Sequence, residues 1–288
     1  MKNISVGHSP DADDIFMYYA IKFGWISVDE TKFDNIALDI ESLNQATLKG
    51  IYDICAISFA LYPFVKDDYA LLKTAVSFGE GYGPKLIKRK GTKLKKNFKV
   101  ALSGEFTTNA LIFKIAYPNT KITYMNFLDI EQAVINKEVD AGVLIHESIL
   151  TYSNQLEVET EIWDIWLELC KGENLPLPLG GMCLRRSIPL HNAIRYENAL
   201  IKAVDIANKN RKVLAPMLLD KGLIRVDALT LDKYLDLYAN DNSVKLSQIQ
   251  YKAINKLFYL GYKHGHYQNL IKVEEFLIPT EYENFRNR

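Results

Sequence analysis

The run Val139-Asp-Ala-Gly-Val-Leu-Ile-His-Glu-Ser-Ile-Leu-Thr-Tyr152 decides how the chain is read. Val143, Leu144 and Ile145 form an unbroken apolar triplet, the pattern of a strand buried on both faces of a parallel sheet. His146 and Glu147 follow at once, where such a strand gives out. Ligands of open α/β sheets gather outside the carboxyl ends of the strands. An imidazole there meets the ligand and exchanges a proton near neutral pH. A loop histidine held only by hydrogen bonds fits the same position, so the rest of the chain must separate the two.

The same grammar recurs upstream. Gly50-Ile-Tyr-Asp-Ile-Cys-Ala-Ile-Ser58 runs helix end, turn, Asp, apolar strand and then a polar residue, as residues 137–146 do. This weak echo suggests two similar lobes built from βαβ units. Near the start, Ile4-Ser-Val6 reads as a strand that empties into Gly7-His-Ser-Pro-Asp-Ala-Asp-Asp14, with helix from Ile15. Ser9 and Asp11 sit in that loop, and the acids there cap the helix or repel an anion. Lys99-Val-Ala-Leu102 is followed by Ser103-Gly-Glu-Phe-Thr-Thr-Asn-Ala110, in which Thr107 and Thr108 stand at a helix start whose free N–H groups suit an anion. Capping alone explains those threonines equally well. Residues 71–77 read as a strand, and Phe78-Gly-Glu-Gly-Tyr-Gly-Pro84 marks a tight turn or a close backbone approach to a ligand, placing Tyr82 and Gly83 among the candidates.

From Leu190 onward the spacing predicts helices over residues 196–208, 212–221, 231–238, 247–264 and 273–277. Their aromatics, Tyr234 and Tyr238 among them, read as core. His264 and His266 read as surface. The expected crossings between lobes fall near residues 85–90 and 179–184. They divide the chain into a larger lobe, residues 1–90 with 180–288, and a smaller one, 91–179. Two α/β lobes joined by two strands make a clam with a ligand cleft. Ser9, Asp11, Ser58, Tyr82, Gly83, Thr107, Thr108 and His146 would face that cleft.

Composition narrows the function classes. Lysine plus arginine number 35, aspartate plus glutamate 35, so the formal net charge is zero. Phosphate backbones are normally met by a basic excess, which argues against nucleic acid. The basic runs around residues 85–96 read as a solvated hairpin or linker. Cys55, Cys170 and Cys183 include no C-x-x-C pair, which argues against a disulfide scaffold or structural zinc. No apolar run approaches the ~20 residues of a membrane span, and the first residues lack the apolar core of a secretory signal. A cytoplasmic protein with a small-molecule ligand is the expectation; oligomeric state is not legible.

Four segments also carry a resemblance: residues 7–20, Tyr82-Gly-Pro84, Ser103-Gly-Glu-Phe-Thr-Thr108 and Leu144-Ile-His-Glu-Ser148. In order and spacing the chain resembles the 1,4-dihydroxy-6-naphthoate synthase family of the futalosine route to menaquinone. Many members carry Ser-Pro-Cys-Pro-Asn-Asp where this chain has Ser9-Pro-Asp-Ala-Asp-Asp14. The resemblance implies an α/β, two-lobed fold of the type II periplasmic-binding-protein kind, in a lyase with no metal or organic cofactor. It implies conversion of cyclic dehypoxanthinyl futalosine to 1,4-dihydroxy-6-naphthoate and a sugar-derived dihydroxy furanone, with His146 as base. The residues themselves add Thr107 and Thr108 as a carboxylate clamp, Ser9 and Ser58 for the sugar hydroxyls, and Tyr82 against the ring. Two other readings stay open: chorismate dehydratase, a sister enzyme of the same pathway and fold, and a non-catalytic binder of a small organic acid.

Overall fold

The computed structural model describes residues 2–279. The chain first lays down β1 (Lys2–His8), α1 (Ala12–Lys22), β2 (Thr31–Ala37), α2 (Ile40–Leu48), β3 (Ile54–Ser58), α3 (Tyr62–Val65), β4 (Tyr69–Leu71) and β5 (Ser77–Gly79). It then builds β6 (Lys85–Arg89), β7 (Lys99–Leu102), α4 (Thr108–Ala116), β8 (Lys121–Tyr124), α5 (Ile130–Ile135), β9 (Ala141–Leu144), β10 (Leu156–Glu161) and α6 (Ile162–Cys170). It returns as β11 (Leu177–Arg185) and finishes with α7 (Leu190–Lys209), α8 (Arg211–Asp220), α9 (Ala228–Tyr238) and α10 (Gln248–Lys263).

Two sheets result. The first has the order β2-β1-β3-β11-β4, with β5 also on β11, and the second β10-β6-β9-β7-β8. Within the first, β1 runs parallel to β2 and β3, while β11 lies antiparallel to β3, β4 and β5. In the second, β7 is parallel to β8 and β9, and β6 is antiparallel to β9 and β10. The strands read as apolar runs are the central ones: β3 and β9 are buried along their whole length. That is what helices on both faces of a sheet require. Helices α7, α8 and α9 pack on α1, and α10 packs on β11, so the helical tail belongs to the first sheet.

The ladders move both expected crossings toward the amino terminus. Lys85–Arg89, assigned from sequence to the end of the first lobe, pairs with β9 and β10 in the second sheet. Leu86 and Ile87 are buried there, while Lys88 reaches Glu159 at 2.5 Å and Lys85 reaches Glu161 at 3.8 Å across the β10 edge. The basic run is thus a strand with its lysines matched to acids, and the chain passes between sheets before it. The return is likewise earlier than residue 179, because β11 joins the first sheet from Leu177. The strand expected over residues 71–77 is instead two short ones, β4 and β5, separated by a turn in which Ala75 has φ of 53°.

One glycine shows how tightly the second sheet meets its helix. A Cβ on Gly142 would stand 2.4 Å from Ile130 Cγ2 and 3.1 Å from Val134 Cγ2. Gly142→Ala is expected to destabilise the protein by about 1–3 kcal/mol through overpacking. Denaturant unfolding of the two proteins checks this, and equal midpoints would contradict it.

Candidate active site

The carboxyl ends of β1, β3, β7 and β9 converge on one cavity of about 710 Å³, the open solvent at its mouth included. Its walls include Ser9, Asp11, Ser58, Thr107, Thr108 and His146, brought together from four loops. Tyr82 and Gly83 are not among the lining residues. The Tyr82 hydroxyl donates to the carbonyls of Phe78 and Leu237, and its ring packs edge-on against Tyr238 at 5.1 Å. It therefore backs a wall residue instead of touching a ligand. Gly83 is needed for packing, since a Cβ there would come 2.9 Å from Leu177 Cδ2.

His146 begins a single 3-10 turn, His146–Ile149, directly after β9. Its φ of 55° is uncommon for a residue with a side chain, and such conformations cluster at functional sites. Nδ1 lies 2.9 Å from Asp11 Oδ2, and the ring packs edge-on against Phe127 at 5.0 Å. Nε2 has no hydrogen-bond partner among the described residues. The imidazole thus has one nitrogen fixed by a carboxylate and the other unspent in a ring that lines the cavity.

Asp11 is fully engaged: its Oδ2 also accepts from the Ser9 hydroxyl, and Oδ1 accepts from Arg225 at 2.6 Å. Asp11 holds His146 and Ser9 holds Asp11, and both residues, singled out as ligand contacts from sequence, line the cavity. Asp14 accepts from the Ser9 N–H at 2.8 Å. Asp13 accepts from the Ser77 hydroxyl at 2.9 Å and the Tyr234 hydroxyl at 3.3 Å.

The charges follow from this packing. Burial alone would strip the proton from His146, but the Asp11 carboxylate outweighs it and pushes the pKa up to about 9. Burial likewise works to raise Asp11, yet the His146 charge and the hydrogen bonds from His146 and Ser9, with Arg225 beyond them, hold it below the usual carboxylate range. For Asp13, burial and then the charge of Asp11 outweigh the His146 charge and the Ser77 hydrogen bond and push it up to about 6. Asp14 is held well above its ordinary range by burial and by Asp13. At neutral pH the site is an imidazolium–carboxylate pair beside Asp13, which ionises only near neutrality, and Asp14, which resists ionisation.

The start of α4 lines the same cavity. The Thr107 hydroxyl accepts from Ala110 N–H at 3.3 Å, an N-cap. The Thr108 hydroxyl accepts from Ala60 N–H at 3.2 Å and donates to the Leu179 carbonyl at 2.8 Å, tying α4 to the first sheet and to β11. Neither hydroxyl is free to clamp a ligand. The N–H groups of Thr108 and Asn109 have no partner among the described residues, and Asn109 Oδ1 is buried without one. Those two N–H groups are left to donate to an acceptor in the cavity, whereas the Asn109 oxygen can only accept. Ser58 accepts from Asn44 Nδ2 at 3.1 Å, which leaves its proton to donate into the cavity.

Residues that sequence reasoning left out complete the walls: Asn109, Ser77, Gly180, Gly181, Tyr234 and Tyr238. The tyrosines are core, as their spacing indicated, at 1% and 5% exposed, and they also form a wall. Gly180 lets β11 pass close to β3, where a Cβ would meet the Ile57 carbonyl oxygen at 2.8 Å. Among the described residues, no group of three His, Cys, Asp or Glu side chains is arranged to hold a metal, and no helix is long and apolar enough to cross a membrane.

Fold and site together define a two-lobed α/β protein of the periplasmic-binding-protein type II architecture, with an acid–base pair at its cleft. The periplasmic aliphatic sulphonate-binding protein SsuA of Escherichia coli shares it, with a TM-score of 0.67 over 98% of this chain and 99% of that one, at 12% identity. Protein AF1704 of Archaeoglobus fulgidus superposes with a TM-score of 0.84, at 30% identity over 92% of this chain and 98% of its own. Residues 4–263 match the family described as menaquinone biosynthesis, and the chain belongs to that family. Two curated relatives are 1,4-dihydroxy-6-naphthoate synthases. That of Streptomyces coelicolor is 29% identical, over 88% of this chain and 91% of its own. That of Thermus thermophilus is 27% identical, over 90% and 93%.

Proposed function

We propose that the protein is a carbon–carbon lyase that converts cyclic dehypoxanthinyl futalosine to 1,4-dihydroxy-6-naphthoate, with His146 as general base. The observation that carries this reading is the unspent Nε2 of His146, in a ring that lines the cavity and is oriented from behind by Asp11. Release of the sugar fragment requires loss of a substrate proton and cleavage of a C–C bond, and aromatisation of the ring left behind drives it. Nε2 takes the proton, while Asp11 holds Nδ1–H and stabilises the imidazolium that forms, the division of labour of a histidine–aspartate pair. A single base supplies about 10²–10⁴-fold. Orientation supplies more. The substrate carboxylate is placed at the Thr108 and Asn109 N–H groups, and Ser58 donates to a sugar hydroxyl. Walls as buried as Ser9, Asp11, Thr107 and Tyr234, all within 3% exposure, shelter the intermediate from water.

Incubating the purified protein with cyclic dehypoxanthinyl futalosine, and in parallel with chorismate, tests the reading. Naphthoate absorbance should appear with the first substrate and no dehydration with the second. Chorismate turnover alone would assign the sister reaction, and tight binding without turnover of either would make the protein a binder.

A further inference from the structure

Arg225 stands on the turn between α8 and α9, far in sequence from every other charged group of the site. Its guanidinium donates to Asp11 Oδ1 at 2.6 Å and reaches Glu147 Oε2 at 3.5 Å. It also lies over the Phe127 ring, 5.3 Å from its centroid, on which His146 packs. The other Glu147 oxygen accepts from the Ala12 N–H at 3.2 Å. Arg225 is not a wall of the cavity, and its side chain is 36% exposed where that of Asp11 is 1% exposed. It therefore reaches the chemistry only through other residues. The loop after β1, the turn after β9 and the α8–α9 turn are bound into one cluster by this guanidinium.

We propose that Arg225 is a positioning residue for the reaction: by taking one oxygen of Asp11 and one of Glu147, it fixes the carboxylate that aims His146 and draws off part of that carboxylate's charge. The inference rests on the reading of His146 as base. An Asp11 shared between two cations grips the imidazolium less tightly than one devoted to it alone. The groups facing His146 are Asp11, Asp13 and Asp14 from the start of α1, Glu147 from its own turn, Arg225, and from α9 the Tyr234 hydroxyl on Asp13; Phe127 adds no charge. Arg225 is the permanent cation of that set. Without it, His146 holds its proton to higher pH and less of it is in the base form at neutrality.

The test compares wild type, Arg225→Gln and Arg225→Lys. Two readouts are taken: the pH profile of kcat and KM with cyclic dehypoxanthinyl futalosine, and an NMR titration of the His146 ring without substrate. In Arg225→Gln the His146 titration and the rising limb of kcat should move together to higher pH by about one pH unit, the lower end of what an adjacent charge does. That lowers kcat at pH 7 by about tenfold with KM little changed, and most of the loss is recovered at higher pH. Arg225→Lys should return both curves toward wild type, which also shows that the site tolerates substitution. A fall in kcat that is equal at every pH, or a titration that stays put or moves to lower pH, overturns the proposal. If wild type does not turn the substrate over, the lyase reading fails by itself, and the NMR titration still decides whether Arg225 controls the pair.

Discussion

His146→Ala is expected to lower kcat by about 10²–10⁴-fold with KM nearly unchanged, the loss of one general base. Nε2 of the imidazole has no partner among the described residues, so its removal takes away the base, while loss of Nδ1 costs the Asp11 contact. Two side effects need control. Alanine is disfavoured at a φ of 55° by roughly 1–2 kcal/mol, and Asp11 is left with Arg225 as its cation. His146→Asn meets the first, because asparagine accepts the left-handed conformation. Both variants should bind the substrate by calorimetry and fail to release naphthoate. Turnover near the wild-type rate in either would remove His146 from the role of base.

The second large effect is on pH. With its pKa at about 9, His146 is in the base form in only about one molecule in a hundred at pH 7, so kcat should climb about 100-fold between pH 7 and a plateau above 9. Stability should run the other way. His146 binds its proton more tightly folded than unfolded, so its contribution is complete below about 6.5 and is lost as pH rises through about 9. The shift corresponds to about 3 kcal/mol at 1.36 kcal/mol per pH unit. Asp13 adds to the slope earlier: a carboxyl raised from 3.8 to about 6 favours the fold fully below 3.8 and loses that contribution by about 6. Thermal melting across pH 4 to 10 should therefore show a falling midpoint while the rate rises. Asp11→Asn removes the charge that sustains the imidazolium, so the kinetic limb should move to lower pH and the stability slope above 6.5 should flatten. A rate that falls with pH between 7 and 9 would instead make His146 an acid.

Periodicity carried the architecture because burial leaves a local trace. β3 is apolar up to Ser58 and β9 carries no polar side chain, and the helices after Leu190 are spaced for one buried face, so both were legible as runs. The polar residues that end those strands were legible too, since a strand that stops abruptly at Ser58 or His146 marks its own carboxyl end. The crossings were misplaced by several residues because lysines on β6 look like a solvated linker until the acids of β10 are set beside them. Tyr82 misled for a related reason: a tyrosine among glycines looks exposed, and only the carbonyls of Phe78 and Leu237 and the ring of Tyr238 show it turned inward.

Roles inside the cluster left no such trace. The sequence by itself determined a two-sheet α/β chain, the loops that face its cleft, and the histidine that sits there. Tertiary structure alone decided that Asp11 holds that histidine, that the threonine hydroxyls are consumed by caps and carbonyls, and that Arg225 closes the network from the far end of the chain. The physical reason is range. Secondary structure is dictated by neighbours a few residues apart, whereas a carboxylate's charge is set by whichever cation the fold carries to within 3 Å of it, and here one of those cations is 214 residues away.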